Sequence, residues 1–437
     1  MFDAYPLSRR IRLAIMLFLV AGFCVITPLL ILFTAGYRYN WSEKTLVTTG
    51  VLSIDITPKD ALVFVNDIRI EKDVPIRLTN LTPNNYHIRI QRDGFHVWEK
   101  DMTVQSNQTT YIRDISLLEQ STPMLVLSEK NTPSFSASGI FAATQTSESF
   151  IIFTIEGTNQ TPIFSVPTTQ ETAVYFSWSP YDDYVYIVTV LDENTTEYLL
   201  SPNAPDGVKI YESKIPPTLP VQWVRQPTAS VMVQRETEGL RNVTFTSANL
   251  VSDVQSPVWY VDTDNTVWTF DENTNMLTNT RDPSQVFFFE KPIFGIIDVT
   301  STYVLAFDET NAFVIPKDQG RERVTLPYGA TWYNRGTNEW IVASEWEIWT
   351  VYPDGTAELR NRTSDAMQQV LPLDANGLLL VVRKNSLEAF NPNPLYYTTH
   401  ILLRDVTIEH IAVNTQEREI IFWGMVGETT GIFSVQY

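Results

Sequence analysis

The chain is poor in cysteine, histidine and positive charge, and each shortage excludes a class of function. A single cysteine, Cys24, lies inside an apolar segment. No intramolecular disulfide, no cysteine-based metal site and no soluble cysteine nucleophile can be built from it. The four histidines, His87, His96, His400 and His410, show none of the spacings that hold a metal on a helix. No G-x-S-x-G elbow, P-loop or G-x-G-x-x-G occurs. The formal net charge is −19. The first 44 residues hold five basic and two acidic side chains, which leaves 26 basic against 48 acidic, or −22, for the rest. Such a body repels phosphate backbones, so nucleic acid is not a partner. The acidity serves solubility.

What is present points to a mainly β protein. A chain of 437 residues divides into two or three domains. Hydrophobic residues make up 44%, enough for real cores, and 25 prolines with 12% aromatics favour many short strands. Outside the N-terminus no stretch sustains a helical period.

Leu13 to Ala35 is 23 residues without a charge. As a helix it spans about 34 Å, enough to cross a bilayer with some tilt. The spacing predicts a cytoplasmic tail over 1–12 and a transmembrane helix over 13–37, with Pro28 as a tolerated kink. Arg9, Arg10 and Arg12 precede it, and Tyr37, Tyr39 and Trp41 follow it as an interfacial aromatic belt. The positive-inside rule then places the N-terminus in the cytoplasm and the bulk of the chain outside the plasma membrane, held by one helix. Two rivals stay open. Thr34-Ala35-Gly36 could serve as a poor cleavage site for a signal peptide. A lipoprotein would use Cys24, although Phe23 stands where a small residue is wanted.

From Gly50 the chain reads G-V-L-S-I-D-I-T-P-K-D-A-L-V-F-V-N-D. Two strands, expected to pair as a hairpin, flank Pro58-Lys59-Asp60, with Pro58 at the second position of a tight turn. Val74-Pro75, Leu81 to Tyr86 and Gly94-Phe95 follow in order. These elements resemble the PEGA domain family over about 70 residues, 48–118. Lys59-Asp60 replaces the central Glu-Gly of the family pattern, and Asn85 stands where Gly is usual. Asn tolerates a left-handed backbone, so the second change is mild. The resemblance implies a small β-sandwich that acts as a spacer or interaction module of envelope proteins.

Beyond Pro123 a strand–turn–strand unit recurs about every forty residues. Copies include Phe150–Val166, Tyr184–Pro202, Val258–Glu272, Tyr303–Pro316, Glu339–Gly355, Gly377–Pro392 and Ile420–Tyr437, with a less regular copy near Val231–Thr246. The pattern predicts a β-propeller over 122–437 with eight blades, or seven as the alternative. The segment Pro123–Ser128 would supply a fourth strand to the last blade and protect its edge. The stretch S-W-S-P-Y-D-D, Ser177 to Asp183, resembles the turn of TolB-type and WD-like propeller repeats.

Candidate chemistry is sparse. The carboxylate pairs Asp182-Asp183, Asp192-Glu193, Asp262 with Asp264, and Asp271-Glu272 could serve glycoside hydrolysis or bind calcium. All fall where turns are expected, and acidic turn residues are common. Nine of eleven tryptophans lie beyond residue 122, four of them between Trp332 and Trp349. Trp332, Trp340, Trp346 and Trp349 form the candidate binding surface, since indole faces stack on sugars and peptide aromatics. The competing use is as wedges between blades. Trp346 and Trp349 are out of phase, so at least one must point away from the buried face. Seven N-x-S/T sequons, from Asn40 to Asn361, would matter only in a eukaryotic secretory protein. No cofactor and no metal is implied. The favoured reading is a membrane-anchored binding protein whose partner is an envelope protein or a cell-wall glycan. The alternatives are an envelope enzyme of glycosidase or lyase type and a purely structural stalk.

Overall fold

A computed structural model describes residues 9–34, 37–40, 45–128, 131–156, 159–168, 172–191, 194–201, 204–213, 217–224, 230–318, 320–334 and 337–437. Trp41 and Asp192-Glu193 lie outside this set. The chain separates into two units, Met1–Gln120 and Ser121–Tyr437.

The first unit begins with one helix, Arg9–Thr34. It is long and apolar enough to cross a membrane, a property that an N-terminal signal sequence shares. None of its residues is buried. The boundaries differ from those expected, 13–37. The three arginines belong to the helix, because arginine is a good helix former and its long stem lets the charge reach water. At the other end the Thr34 hydroxyl donates to the carbonyls of Leu30 (2.9 Å) and Ile31 (3.0 Å) in the last turn. Tyr37 and Tyr39 lie beyond the helix, on the strand Tyr37–Asn40, which pairs with Thr45–Thr48. Alternating Tyr-Arg-Tyr-Asn suits a strand.

The rest of the first unit is two sheets. Ile76–Leu81, Gly50–Thr57 and Thr109–Ser116 form one, with the last pair parallel. Ile68–Arg69, Leu62–Val65, Asn84–Gln91 and Trp98–Val104 form the other. The strands flanking Pro58 are therefore not a hairpin. Leu52, Ile54 and Ile56 on the first and Val63 and Val65 on the second are all buried. Both strands must turn an apolar side to one core, and they do so from opposite sheets. The turn between them is closed by the Ala61 N–H donating to the Pro58 carbonyl (3.3 Å), so Pro58 stands at its first position, not its second. Asn85 lies within a strand, and positive φ falls instead on Asn66, Asp67, Asn80, Asn107 and Asp114.

Among the described residues the second unit forms eight four-stranded antiparallel sheets. Seven are built from consecutive strands. They start at Ser134, Thr172, Thr218, Val258, Gly295, Ala330 and Met367 and are called here the first to seventh sheets. The eighth takes Val406–Asn414, Glu419–Val426 and Thr429–Gln436 and adds Met124–Leu127 as its fourth strand, as the sequence suggested. The repeat is read out of phase in two places. Phe150–Val166 covers the third and fourth strands of its sheet, and Val258–Glu272 covers the first and second. Any two adjacent antiparallel strands share one alternating pattern, so the period locates hairpins but not their rank.

Each sheet packs on the next. Phe150 and Ile152 of the first meet Val185 and Ile187 of the second. Trp268 and Phe270 of the fourth meet Val304 and Ala306 of the fifth. Ala142 and Phe153 of the first meet Ile421, Trp423 and Ile432 of the eighth. The first strands of neighbouring sheets are also joined. The Gln222 amide both donates to the Val261 carbonyl and accepts from its N–H, each at 2.8 Å. Ser134–Phe135 lies against Val406–Asn414, so the first and eighth sheets are neighbours there as well.

Candidate binding surface

Three of the candidate carboxylates hold turns together, while Asp182 Oδ1 is buried without a hydrogen-bond partner among the described residues. Asp262 Oδ1 accepts from the N–H groups of Asp264 (3.0 Å) and Thr266 (2.9 Å), and Oδ2 accepts from Trp268 Nε1 (3.1 Å). Asp271 accepts from Asn273 N–H (2.9 Å) and the Thr274 hydroxyl (2.8 Å), which hold its carboxyl below the usual range. Asp183 accepts from Ser138 N–H (2.9 Å) in the first sheet. These are side chains that shape and link turns. Among the described residues no three His, Cys, Asp or Glu side chains are grouped as metal ligands. His87 lies 2.9 Å from the exposed Asp101 of the neighbouring strand, and burial pushes His96 below its ordinary value.

The tryptophans are distributed between sheets. Each of the seven described clusters between neighbouring sheets contains at least one. Trp340, 7% exposed, and Trp349 pack between the fifth and sixth sheets, while Trp332 packs between the sixth and seventh. Trp340 Nε1 donates to Asp298 Oδ2 (2.8 Å), and Trp349 Nε1 donates to Glu347 Oε2 (2.8 Å). Only Trp346 of the four is exposed, at 46%. The four do not form one surface. Their spacing along strands assigns them to alternate faces, and both faces of the sixth sheet are covered by neighbours.

Two polar arrangements had no signal in the sequence, because their members are distant along it. Glu197 and Arg235 are wholly buried between the second and third sheets. Arg235 Nη2 lies 2.7 Å from both Glu197 oxygens, and the Tyr186 hydroxyl donates to Oε2. Burial and the Glu197 charge push the Tyr186 hydroxyl far above its ordinary value. Elsewhere the Lys317 ammonium lies 4.8 Å above the Trp268 ring. Burial lowers its pKa, while Asp262, Asp264 and Asp298 oppose that shift.

The two-sheet module of the first unit carries in order the leading strand, the Pro58–Ala61 turn, the Asn66-Asp67 turn and the Gly94-Phe95 turn. Residues 49–117 match the family model of the PEGA domain. The matched segment keeps Gly94 at φ +79°, where a side chain would be strained, and stacks Arg92 on Phe95 at 4.7 Å. None of the curated proteins matches this chain. Solved structures similar to it include Hsv2 of Kluyveromyces marxianus, at 13% identity and a TM-score of 0.38, covering 62% of this chain and 97% of that one. Hsv2 of Kluyveromyces lactis is 12% identical, with a TM-score of 0.37 and coverages of 65% and 99%. A eukaryotic initiation factor is 10% identical, with a TM-score of 0.41 and coverages of 73% and 94%. No function is carried from them to this chain.

Proposed function

We propose that this chain is a membrane-anchored binding or scaffold protein of a prokaryotic cell envelope. The helix crosses the plasma membrane once with Arg9, Arg10 and Arg12 inside, and the PEGA domain acts as a spacer outside. The eight sheets are the blades of one TolB- or WD-like propeller that presents a surface to an envelope protein or a cell-wall glycan. The observation that carries this reading is the succession of sheet contacts, with the first and eighth sheets adjacent and Met124–Leu127 joined to the last strands. A body so built exposes turns from many sheets at each end, a common place for ligand sites. Asp183, Asp262 and Asp271, held in turn hydrogen bonds, favour binding over a glycosidase or lyase.

Labelling with a membrane-impermeant maleimide tests the topology, in a chain with Cys24→Ser. A cysteine at Lys384 is expected to label in intact cells. One at Asp3 is expected to label only after the membrane is opened, and the reverse pattern would overturn the reading. The binding role is tested by retention of the full chain in detergent on envelope extract and on purified wall glycan, compared with Trp346→Ala.

A further inference from the structure

The fifth and sixth sheets carry a row of aromatic residues at one end, where second-to-third-strand turns meet the linkers between sheets. Phe294, 60% exposed, ends the linker into the fifth sheet, and its N–H donates to the Phe307 carbonyl (2.8 Å). Phe307 closes the second strand of that sheet. Its ring covers Gly295, where a Cβ would come within 2.5 Å of it. The Phe307 and Tyr328 rings are 4.7 Å apart. Tyr328 lies in the linker to the sixth sheet and donates its N–H to the Thr310 carbonyl (2.8 Å). Gly329 N–H donates to Ala343 O (2.9 Å), and Trp346 stands in the turn that follows Ala343. That turn is also held on its far side, by Thr363 N–H to Trp346 O and Met367 N–H to Glu345 O, both 2.9 Å. Backbone bonds thus fix the row before any partner arrives, which lowers the ordering cost of binding.

The border of this row is mainly acidic, with Lys291 and the exposed Arg362, paired to Glu347 at 2.7 Å, as its basic members. Glu309 and Glu345 are exposed and have no ion-pair partner among the described residues. Glu290 shares the Phe294 linker with Lys291. At the opposite end of the fourth and fifth sheets the turns carry Arg281, Lys317 and Arg321, which offset the acids there, while Arg323 reaches the Phe288 carbonyl and faces Glu290. Phe294 and Trp346 are exposed and Phe307 and Tyr328 half-buried. Exposed aromatic faces attract cations, and unpaired carboxylates beside them strengthen the preference. Anionic polymers are repelled, and a neutral glycan gains nothing from the border.

We infer that Phe294, Phe307, Tyr328 and Trp346 form a docking surface for a cationic polypeptide segment of a partner protein, with Lys or Arg interleaved among aromatic or aliphatic residues. The inference rests on the binding role proposed above and narrows its partner to a protein. The test uses the full chain in detergent, immobilised, with three probes: a short Lys/Phe peptide, its Glu/Phe counterpart and soluble peptidoglycan glycan strands. The Lys/Phe peptide is expected to bind. Phe294→Ala, Trp346→Ala and the double change Glu309→Lys/Glu345→Lys should each weaken it about tenfold or more. Glu322→Lys, at the opposite end, should leave it unchanged. Unchanged melting temperatures would show that these exposed substitutions leave the fold intact. Equal binding to Trp346→Ala, equal binding of the Glu/Phe peptide, or an equal loss in Glu322→Lys overturns the surface. Glycan binding abolished by Trp346→Ala also overturns the inference, yet leaves the broader binding role standing. No retention of any probe overturns the docking surface, and the envelope retention experiment decides separately on the binding role.

Discussion

Replacing Arg235 with Met leaves the Glu197 carboxylate wholly buried with only the Tyr186 hydroxyl to satisfy it. Removing one partner of a buried ion pair costs about 3–5 kcal/mol, because the survivor keeps its desolvation penalty and loses its counter-charge. For the roughly 320 residues of the second unit, an unfolding entropy of ~2.1 cal/mol/K per residue gives about 0.7 kcal/mol per degree. The melting temperature should fall by about 4–8 °C. Tryptophan fluorescence reads this directly, since nine of the eleven indoles lie in the second unit. The triple change Tyr186→Phe, Glu197→Leu and Arg235→Met removes every member together. It should recover most of the loss, as apolar replacements of buried pairs often do. A fall of less than about 2 °C for Arg235→Met alone would refute the reasoning. It would mean that water or another group reaches Glu197 in the folded protein.

Other outcomes follow from the same structure. Gly424→Ala would push a methyl into the Thr407 carbonyl and Gly431→Ala into the Leu127 carbonyl. Each should cost about 1–3 kcal/mol in thermal unfolding of the second unit. Burial raises the Asp374 carboxyl above its ordinary value, against hydrogen bonds from Leu378 and Asn376. Its contribution to stability is complete below about pH 4 and is lost as pH rises through the raised value. Asp374→Asn should therefore flatten this part of the stability–pH curve in melts across the acidic range. Asp308 differs: burial raises its carboxyl, but bonds from Thr310 and Asn311 prevail and hold it low. Its contribution is present above about pH 4 and lost as pH falls through the lowered value, so Asp308→Ala should reduce the acid-side slope in the same melts. Deleting Arg9–Thr34 should move the protein from the membrane pellet to the soluble fraction after cell breakage.

The sequence was most legible where one period governs. Alternation on both sides of polar turns located most hairpins of the second unit, and an unbroken apolar run located the helix. Short-range order misled where tertiary context decides. The strands around Pro58 look like a hairpin because each alternates and a turn joins them, yet their apolar sides face one another across a core. The tryptophans show the same limit. Trp346 and Trp349 are three residues apart, and the sequence says that they point differently. It does not say that neighbouring sheets cover Trp332, Trp340 and Trp349. Phe294 and Tyr328 lie in linkers that no repeat highlighted, and Glu197 and Arg235 meet only because their sheets are adjacent.

The mixed composition of the eighth sheet has a consequence for biogenesis. Met124–Leu127 emerges early during synthesis, but its hydrogen-bonding partner Thr429–Gln436 is made about three hundred residues later. Until then the early strand offers a bare edge, and the first sheet lacks the Trp423 and Ile432 side chains that cover it. Final assembly thus waits for the last strands, with a long loop to close and a slow step to expect. A chain cut short before Thr429 would keep most of its sheets but leave both flanks of the seam open, and such a product is a natural target for quality-control proteases.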